Sequence, residues 1–247
     1  MTALAGLLIG AGAMALAAPQ GGTLPQGGTS LSAQDRAAIE QVVHDYILAH
    51  PEILPEAMQK LQDRQAARVI DTHRAALETP FAGAWAGAKD GDVTLVEFFD
   101  YACGYCRASV ADVDKLLAND PKLRVVFREL PILGDESDEA ARVSLAAARQ
   151  GKFLAFHRKM YAAARPSKAS IADAQKASGL DAAGVTAAHD DPAVKAEIAR
   201  NIDLARTLGL SGTPSFIVGD QVLSGAVGYE ALAKAVAEAR TKARKAQ

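Results

Sequence analysis

Two cysteines, the only ones in 247 residues, stand three apart in "DYACGYCRASV" (residues 100–110), with Gly104 and Tyr105 between Cys103 and Cys106. Thiols at this spacing can serve as a metal clip, a structural staple, or a redox pair that opens and closes in turnover. A disulfide closing over two intervening residues restrains the unfolded chain very little, which argues against the staple. The neighbouring elements must place the pair. "VTLVEFFD" precedes it and is short, β-branched and aromatic, the pattern of a buried strand. "RASVADVDKLLAND" follows as an amphipathic helix stopped by Asn119 and Pro121, and "LRVVFRELPIL" reads as the next strand. Such a unit has parallel strands and a right-handed crossover. Glu97 lies mid-strand, six residues before Cys103. A carboxylate on a buried strand is costly unless it has a partner or a role; the alternative is an exposed Glu on a strand edge.

From Glu136 to about Leu208 the pattern is helical and is interrupted by Gly151, Pro166, "SGLD" and "DDPAV", giving four or so helices, too many for one crossover. "GTPSFIVGDQVLSGAVG" then gives two strands, Ser215 to Val218 and Gln221 to Ser224, joined at Gly219-Asp220, a good two-residue hairpin turn. A last helix runs from Tyr229 to about Lys242, and the basic end reads as its solvated last turns. Upstream, Ser32 can cap a helix whose Ile39, Val42, Val43, Tyr46 and Ile47 form one apolar face. Pro51 and Pro55 interrupt it, and a second helix follows to about Leu77, with sparse apolar positions at Met58, Leu61, Ala66, Val69, Ile70 and Leu77. These stripes need a partner, either the main domain or further copies of the chain, and the sparse second helix favours an extended arm. Trp85 is expected to be a local packing residue. His44 and His157 are expected to be packing or surface residues, not ligands.

Residues Ala3 to Ala18 are apolar and uncharged, the length of a signal-peptide core, and Ala15-Leu16-Ala17 is an A-x-A pattern. The expectation is export to the periplasm with cleavage near Ala17 or Ala18. No Lys or Arg precedes the run, so either the start lies upstream or the signal is atypical. "PQGGTLPQGGTS" (Pro19 to Ser30) reads as a flexible linker. A net charge of -2 offers no basic field for nucleic acid or anionic membrane.

Strand, Cys-x-x-Cys at a helix start, strand, helices, then Thr-Pro before a hairpin and a final helix resembles the DsbA family of exported thiol-disulfide oxidoreductases. "GDVTLVEFFDYACGYC", "FRELPILG" and "GTPSFIVG" carry the resemblance, which covers residues 80–247. "IEQVVHDYILAHPEILPEAMQKLQ" narrows it towards the suppressor-of-copper-sensitivity protein C (ScsC) family, which includes trimeric periplasmic disulfide isomerases. The resemblance implies an α/β thioredoxin fold with an inserted helical domain. The expected organisation is a signal-like segment (1–18), a linker (19–32), a helical oligomerisation arm (33–79) and a catalytic domain (80–247) with its insert at about 136–208. Cys103, at the start of a helix whose dipole favours its thiolate, is expected as the exposed nucleophile, with Cys106 one turn deeper as the resolving thiol. Gly104 would let a client backbone approach, and Tyr105 offers an aromatic contact but no positive charge. The resemblance makes Pro214 cis, with Thr213 pairing to an extended client, and makes Glu97 the buried acid that exchanges a proton with Cys106. No cofactor is implied beyond a Cys103–Cys106 disulfide, and no dedicated metal beyond incidental Cu(I) on the reduced pair. The implied partners are exported client proteins with disulfides, a membrane thiol reductase, and further copies in a trimer. A dithiol oxidase and a copper(I) carrier are the alternative functions.

Overall fold

The structure is a computed structural model and describes residues 32–245. The signal-like segment and the linker as far as residue 31 lie outside the described residues. The chain divides after Ile53 into two compact units.

The described part of the first unit is helix α1 (Ala33–Ala49). Its start is a reciprocal cap: the Ser32 hydroxyl accepts the Asp35 N–H at 3.1 Å, and the Asp35 carboxylate accepts the Ser32 N–H at 3.2 Å. No residue of α1 is buried, and Ile39, Val42, Val43 and Tyr46 lie exposed along it.

Helix α2 (Ile53–Glu78) leads into the second unit. Its first turns leave Leu54, Met58 and Leu61 exposed, whereas Ile70 and Leu77 are each 1% exposed. Those two pack with Val96, Phe98, Val126, Leu204 and Ile217. The sequence favoured an extended arm over all of 33–79; the second half of α2 is instead a core element. Burying two large aliphatic side chains stabilises this docking by roughly 1.5–3 kcal/mol each. Seven residues separate them, so they share one face, and one contact per two turns is what made the helix look sparse.

The sheet has the order β1-β3-β2-β4-β5. β2 (Val93–Phe99) and β3 (Leu123–Glu129) pair in parallel, as the strand-helix-strand reading requires, with α3 (Gly104–Asn119) as the crossover. β4 (Ser215–Val218) runs antiparallel to β2, and β5 (Gln221–Ser224) closes the hairpin, with Gly219 at φ +58° in the turn. β1 (Trp85–Gly87) pairs antiparallel with β3 and was not foreseen. Three residues are too few to show alternation, and Trp85, expected only to pack locally, both packs against the α2-facing core and forms an edge strand. Gly87 takes φ +85°, and a Cβ there would meet the Leu123 carbonyl oxygen at 2.3 Å, so the close strand approach excludes other residues.

Between β3 and β4 the insert holds five helices, one more than the four or so expected: α4 (Asp135–Arg149), α5 (Phe153–Ala162), α6 (Lys168–Ala177), α7 (Ala182–Asp190) and α8 (Pro192–Thr207). Helix α9 (Tyr229–Lys245) ends the described chain and packs on α3. Arg128 on β3 is 1% exposed. It donates to Glu197 Oε1 (2.6 Å) and Asn201 Oδ1 (3.2 Å) on α8. It also donates to the carbonyls of Ala76, Leu77 and Thr79 at the end of α2. A cation on the C-terminal carbonyls of a helix suits both their lone pairs and the dipole.

Replacing Leu77 by Ala is expected to cost about 2–5 kcal/mol. Leu61→Ala should change stability by less than about 0.5 kcal/mol. Urea denaturation of both variants checks the division of α2 into a docked half and an exposed half.

Candidate functional site

Strand β2 ends at Phe99, and within four residues the chain turns into α3. Cys103 is the N-cap of α3 (φ -78°, ψ 116°), and its Sγ accepts the Cys106 N–H at 3.4 Å. A sulfur here replaces the usual capping oxygen and meets the positive end of the helix. From the opposite side the Cys103 thiol donates to the Thr213 carbonyl at 3.2 Å. The Thr213–Pro214 peptide bond is cis. Both cysteines are free thiols.

Cys103 was expected to be exposed, yet it keeps only 7% of its surface, while Cys106 keeps none. The order of access is retained, and the Thr213 carbonyl, in the turn before β4, lies against the outer sulfur. Burial pushes the Cys106 thiol well up; the Asp100 backbone and the Thr213 hydroxyl act the other way, and the Glu97 and Cys103 charges add to the rise. Gly104 is exposed, with nothing within 4 Å of the space a Cβ would take, and Tyr105 is 71% exposed. The structure therefore gathers Cys103, Gly104, Tyr105, Cys106, Thr213 and Pro214 at one end of the sheet.

Glu97 is not on a strand edge. It lies in the central strand, with Phe127 and Phe216 as register partners on either side, and is 2% exposed. Burial pushes its carboxyl up to about 8. It shares its sheet face with Phe99, Phe127 and a second acid, Glu129, which sequence reading missed. Glu129 is 2% exposed and raised well above the usual carboxylate range, chiefly by burial, and its Oε1 has no hydrogen-bond partner. The same argument that singled out Glu97 could have found Glu129 in "VVFRE". His157 is in the interior and is a packing residue, as expected. It stacks among Phe99, Phe127 and Tyr161, and burial depresses it to about 3, so it is neutral. Its Nδ1 lies 3.2 Å from the Tyr101 hydroxyl, which also meets Ser144 at 2.9 Å.

Asp100 was also missed. Its carboxylate accepts the N–H groups of Ala102 (2.7 Å), Ile132 (2.9 Å) and Leu133 (3.0 Å) and the Ser137 hydroxyl (2.7 Å). The signal was an acid between a buried strand and a turn, where Asp commonly takes up main-chain N–H groups. Among the described residues no group of three or more His, Cys, Asp or Glu side chains is placed to hold a metal ion.

A parallel pair flanked by antiparallel strands, a cysteine capping the helix after the central strand, and a Thr-Pro turn facing it define a thioredoxin-fold dithiol protein. Residues 94–237, more than half of the chain, match the DSBA-like thioredoxin domain, and the chain belongs to that family. Residues 35–68 match the copper resistance protein ScsC N-terminal domain. The fold is thus the expected DsbA-like thioredoxin fold with a helical insert and an N-terminal ScsC-type helical region. Proteus mirabilis ScsC in a transitional conformation is 30% identical, with a TM-score of 0.65 over 86% of this chain and 98% of that one. A periplasmic thioredoxin-like protein from Salmonella enterica serovar Typhimurium is 33% identical, with a TM-score of 0.63 over 68% and 95%. The chain spans about a quarter of the length of the first curated relative it matches, the Na(+)/H(+) antiporter NhaA 3 of Salinispora tropica, at 32% identity over 163 residues, 64% of this chain. No helix among the described residues is long and apolar enough to cross a membrane.

The raised Glu97 carboxyl has a consequence for stability. Its folded value lies above the ordinary 4.5, so its contribution is full below pH 4.5 and is lost as pH rises through about 8. Glu97→Gln lacks that loss. The stability difference between variant and wild type should therefore shift in favour of the variant by on the order of 5 kcal/mol between pH 4 and pH 8.5. Denaturant titrations across that range check it; parallel curves would place the carboxyl in contact with water.

Proposed function

We propose that the protein catalyses thiol-disulfide exchange on exported proteins and acts chiefly as a disulfide isomerase and reductase. The observation that carries this reading is Cys103 Sγ at the N-terminus of α3, held by the Cys106 N–H and facing the Thr213 carbonyl. The Cys103 thiolate attacks one sulfur of a client disulfide. One S–S bond breaks, one forms to Cys103, and the client's other sulfur leaves as thiolate. In isomerisation a different client thiolate then attacks the mixed disulfide and returns Cys103, with no net transfer of electrons. In reduction, Cys106 gives up its proton and attacks Cys103, which releases the client thiol and leaves a Cys103–Cys106 disulfide. A membrane thiol reductase then supplies two electrons.

Glu97 is the group for the Cys106 proton. With a value near 8 it is mostly protonated at neutral pH, ready to donate to a departing Cys106 thiolate, and a fraction is ionised to accept. Gly104 and Tyr105 border the approach to Cys103. Thr213 and Pro214 offer main chain to an extended client in the manner of strand addition. The signal-like run and the periplasmic Salmonella relative support a periplasmic location. The exposed stripe of α1 and the exposed Leu54, Met58 and Leu61 of α2 support assembly through this region, as a trimer. Cu(I) on the reduced pair is incidental. The second reading, a dithiol oxidase, is favoured by the fit to the DSBA-like family, which is built on the same dithiol.

Cys103→Ala should abolish exchange, and Cys106→Ala should accumulate mixed disulfides with clients, seen on non-reducing gels. A Cys106 variant that turns over normally would remove its assigned role. The arm decides between the readings. A truncation must stop before Ile70 to spare the core, so a chain beginning at Gln62 is the comparison. Light scattering should give a trimer for the full chain and a monomer for the truncated one. The truncated form should keep simple dithiol exchange but refold scrambled substrate at least several-fold more slowly, because a client loses its neighbouring thiolates. Equal isomerisation by both forms would favour the oxidase.

A further inference from the structure

Asp100 is 1% exposed, and every polar atom of its side chain is engaged. Three main-chain N–H groups and one hydroxyl donate to its carboxylate, and its charge adds to the rise of the buried Glu129 carboxyl. Four converging donors match the acceptor oxygens of this side chain. Its own carbonyl accepts the Cys103 N–H at 3.0 Å and the Tyr161 hydroxyl at 3.2 Å. Its main chain also acts on the Cys106 sulfur in favour of the thiolate. One residue thus ties the turn before the dithiol to the loop between β3 and α4, to α4 through Ser137, and to α5 through Tyr161.

The other ionisable groups in this layer differ from it. Glu97 on β2 is raised by burial to about 8 and is mostly protonated at neutral pH, Glu129 on β3 is raised well above the usual carboxylate range, chiefly by burial, and His157 on α5 is neutral. Tyr101 and Tyr161 are raised well above their usual range by burial and hold their protons. On α3, Arg107 donates through Nε to the Tyr161 carbonyl at 3.0 Å. The first turn of α4 carries Asp135, Glu136 and Asp138 outside the buried layer.

We propose that Asp100 is a positioning residue for the exchange reaction, one that fixes the turn carrying Cys103 and sets, through its buried charge, how readily the dithiol is oxidised. The inference rests on the reading of Cys103 and Cys106 as an exchanging pair. A negative charge three residues from the nucleophile opposes a second negative charge on sulfur. It therefore disfavours the reduced, thiolate-bearing form against the uncharged disulfide. A protein whose reduced form is less stabilised is a weaker oxidant, which suits reduction and isomerisation. Tyr105 supplies no opposing positive charge.

The test is the equilibrium with glutathione. The dithiol reduces one glutathione disulfide to two glutathione thiols and gains one S–S bond, and two electrons and two protons pass to glutathione. Asp100→Asn removes the charge, and the equilibrium should move roughly tenfold towards the reduced protein, the size of a one-unit electrostatic effect. Ser137→Ala keeps the charge but removes one compensating donor, so the equilibrium should move about twofold the other way. A residue that merely shapes the turn would slow exchange in both variants and leave both equilibria at the wild-type value. That result, or shifts of the same sign, would overturn the proposal. If Asp100→Asn does not fold, Ser137→Ala decides alone, because its expected direction is opposite to any gain of reduced protein. A wild-type chain that never equilibrates with glutathione would refute the dithiol reading itself, and this proposal with it. A wild type that equilibrates while both variants match it would refute only the role of Asp100.

Discussion

A guanidinium buried in the middle of the fold is the constraint around which the second unit is built. Arg128 cannot be left unpaired in a layer of Val96, Phe98 and Val126, because removing a charge from water costs several kcal/mol unless partners replace the solvent. Glu197 supplies the countercharge from α8, and the end of α2 supplies carbonyl oxygens. Helices from opposite ends of the sequence therefore converge on one strand. Asn201 completes the set through its oxygen, while its Nδ2 stays without a partner.

The strand alternation that turns Arg128 towards α2 and α8 turns Glu129 the other way, and β2 repeats the division with Phe98 and Glu97. One side of the sheet is thus an apolar layer with a single ion-pair cluster. The other holds acids, tyrosines and a neutral histidine beneath the dithiol. This second layer is dry enough to raise both Glu97 and Glu129, yet it holds Asp100 in a cage of donors. Burial alone brings the Glu97 carboxyl to about 8. At Cys103 the first turn of α3 instead points a main-chain N–H, that of Cys106, towards the sulfur.

Much of this was legible in the sequence. The paired cysteines, the hairpin bounds and the Thr-Pro turn are each complete within about ten residues, and the strand-helix-strand unit is a run of consecutive elements from Val93 to Glu129. What escaped was non-local. β1 exists because β3 offers it an edge. The docking of α2 depends on Ile70 and Leu77 meeting strands encoded far along the chain, and two contacts in 26 residues leave no periodic trace. Asp100 and Glu129 sat in plain view as acids at the ends of apolar strands. Their partners come from the turns and from α4, which the sequence does not show to be adjacent. The contact of Cys103 with the Thr213 carbonyl likewise comes from a turn 110 residues away.

The docking of α2 also fixes a length. From Leu61, the last exposed large apolar residue of the helix, to Ile70, the first buried one, are nine residues, or about 14 Å of helix at 1.5 Å per residue. Over that span the helix passes from exposed to buried: Ala66, Ala67 and Val69 are already partly covered before Ile70 enters the core. An assembly formed on the patch would therefore leave Ile70 and Leu77 in place, so that gathering copies and completing the core would draw on different turns of one helix.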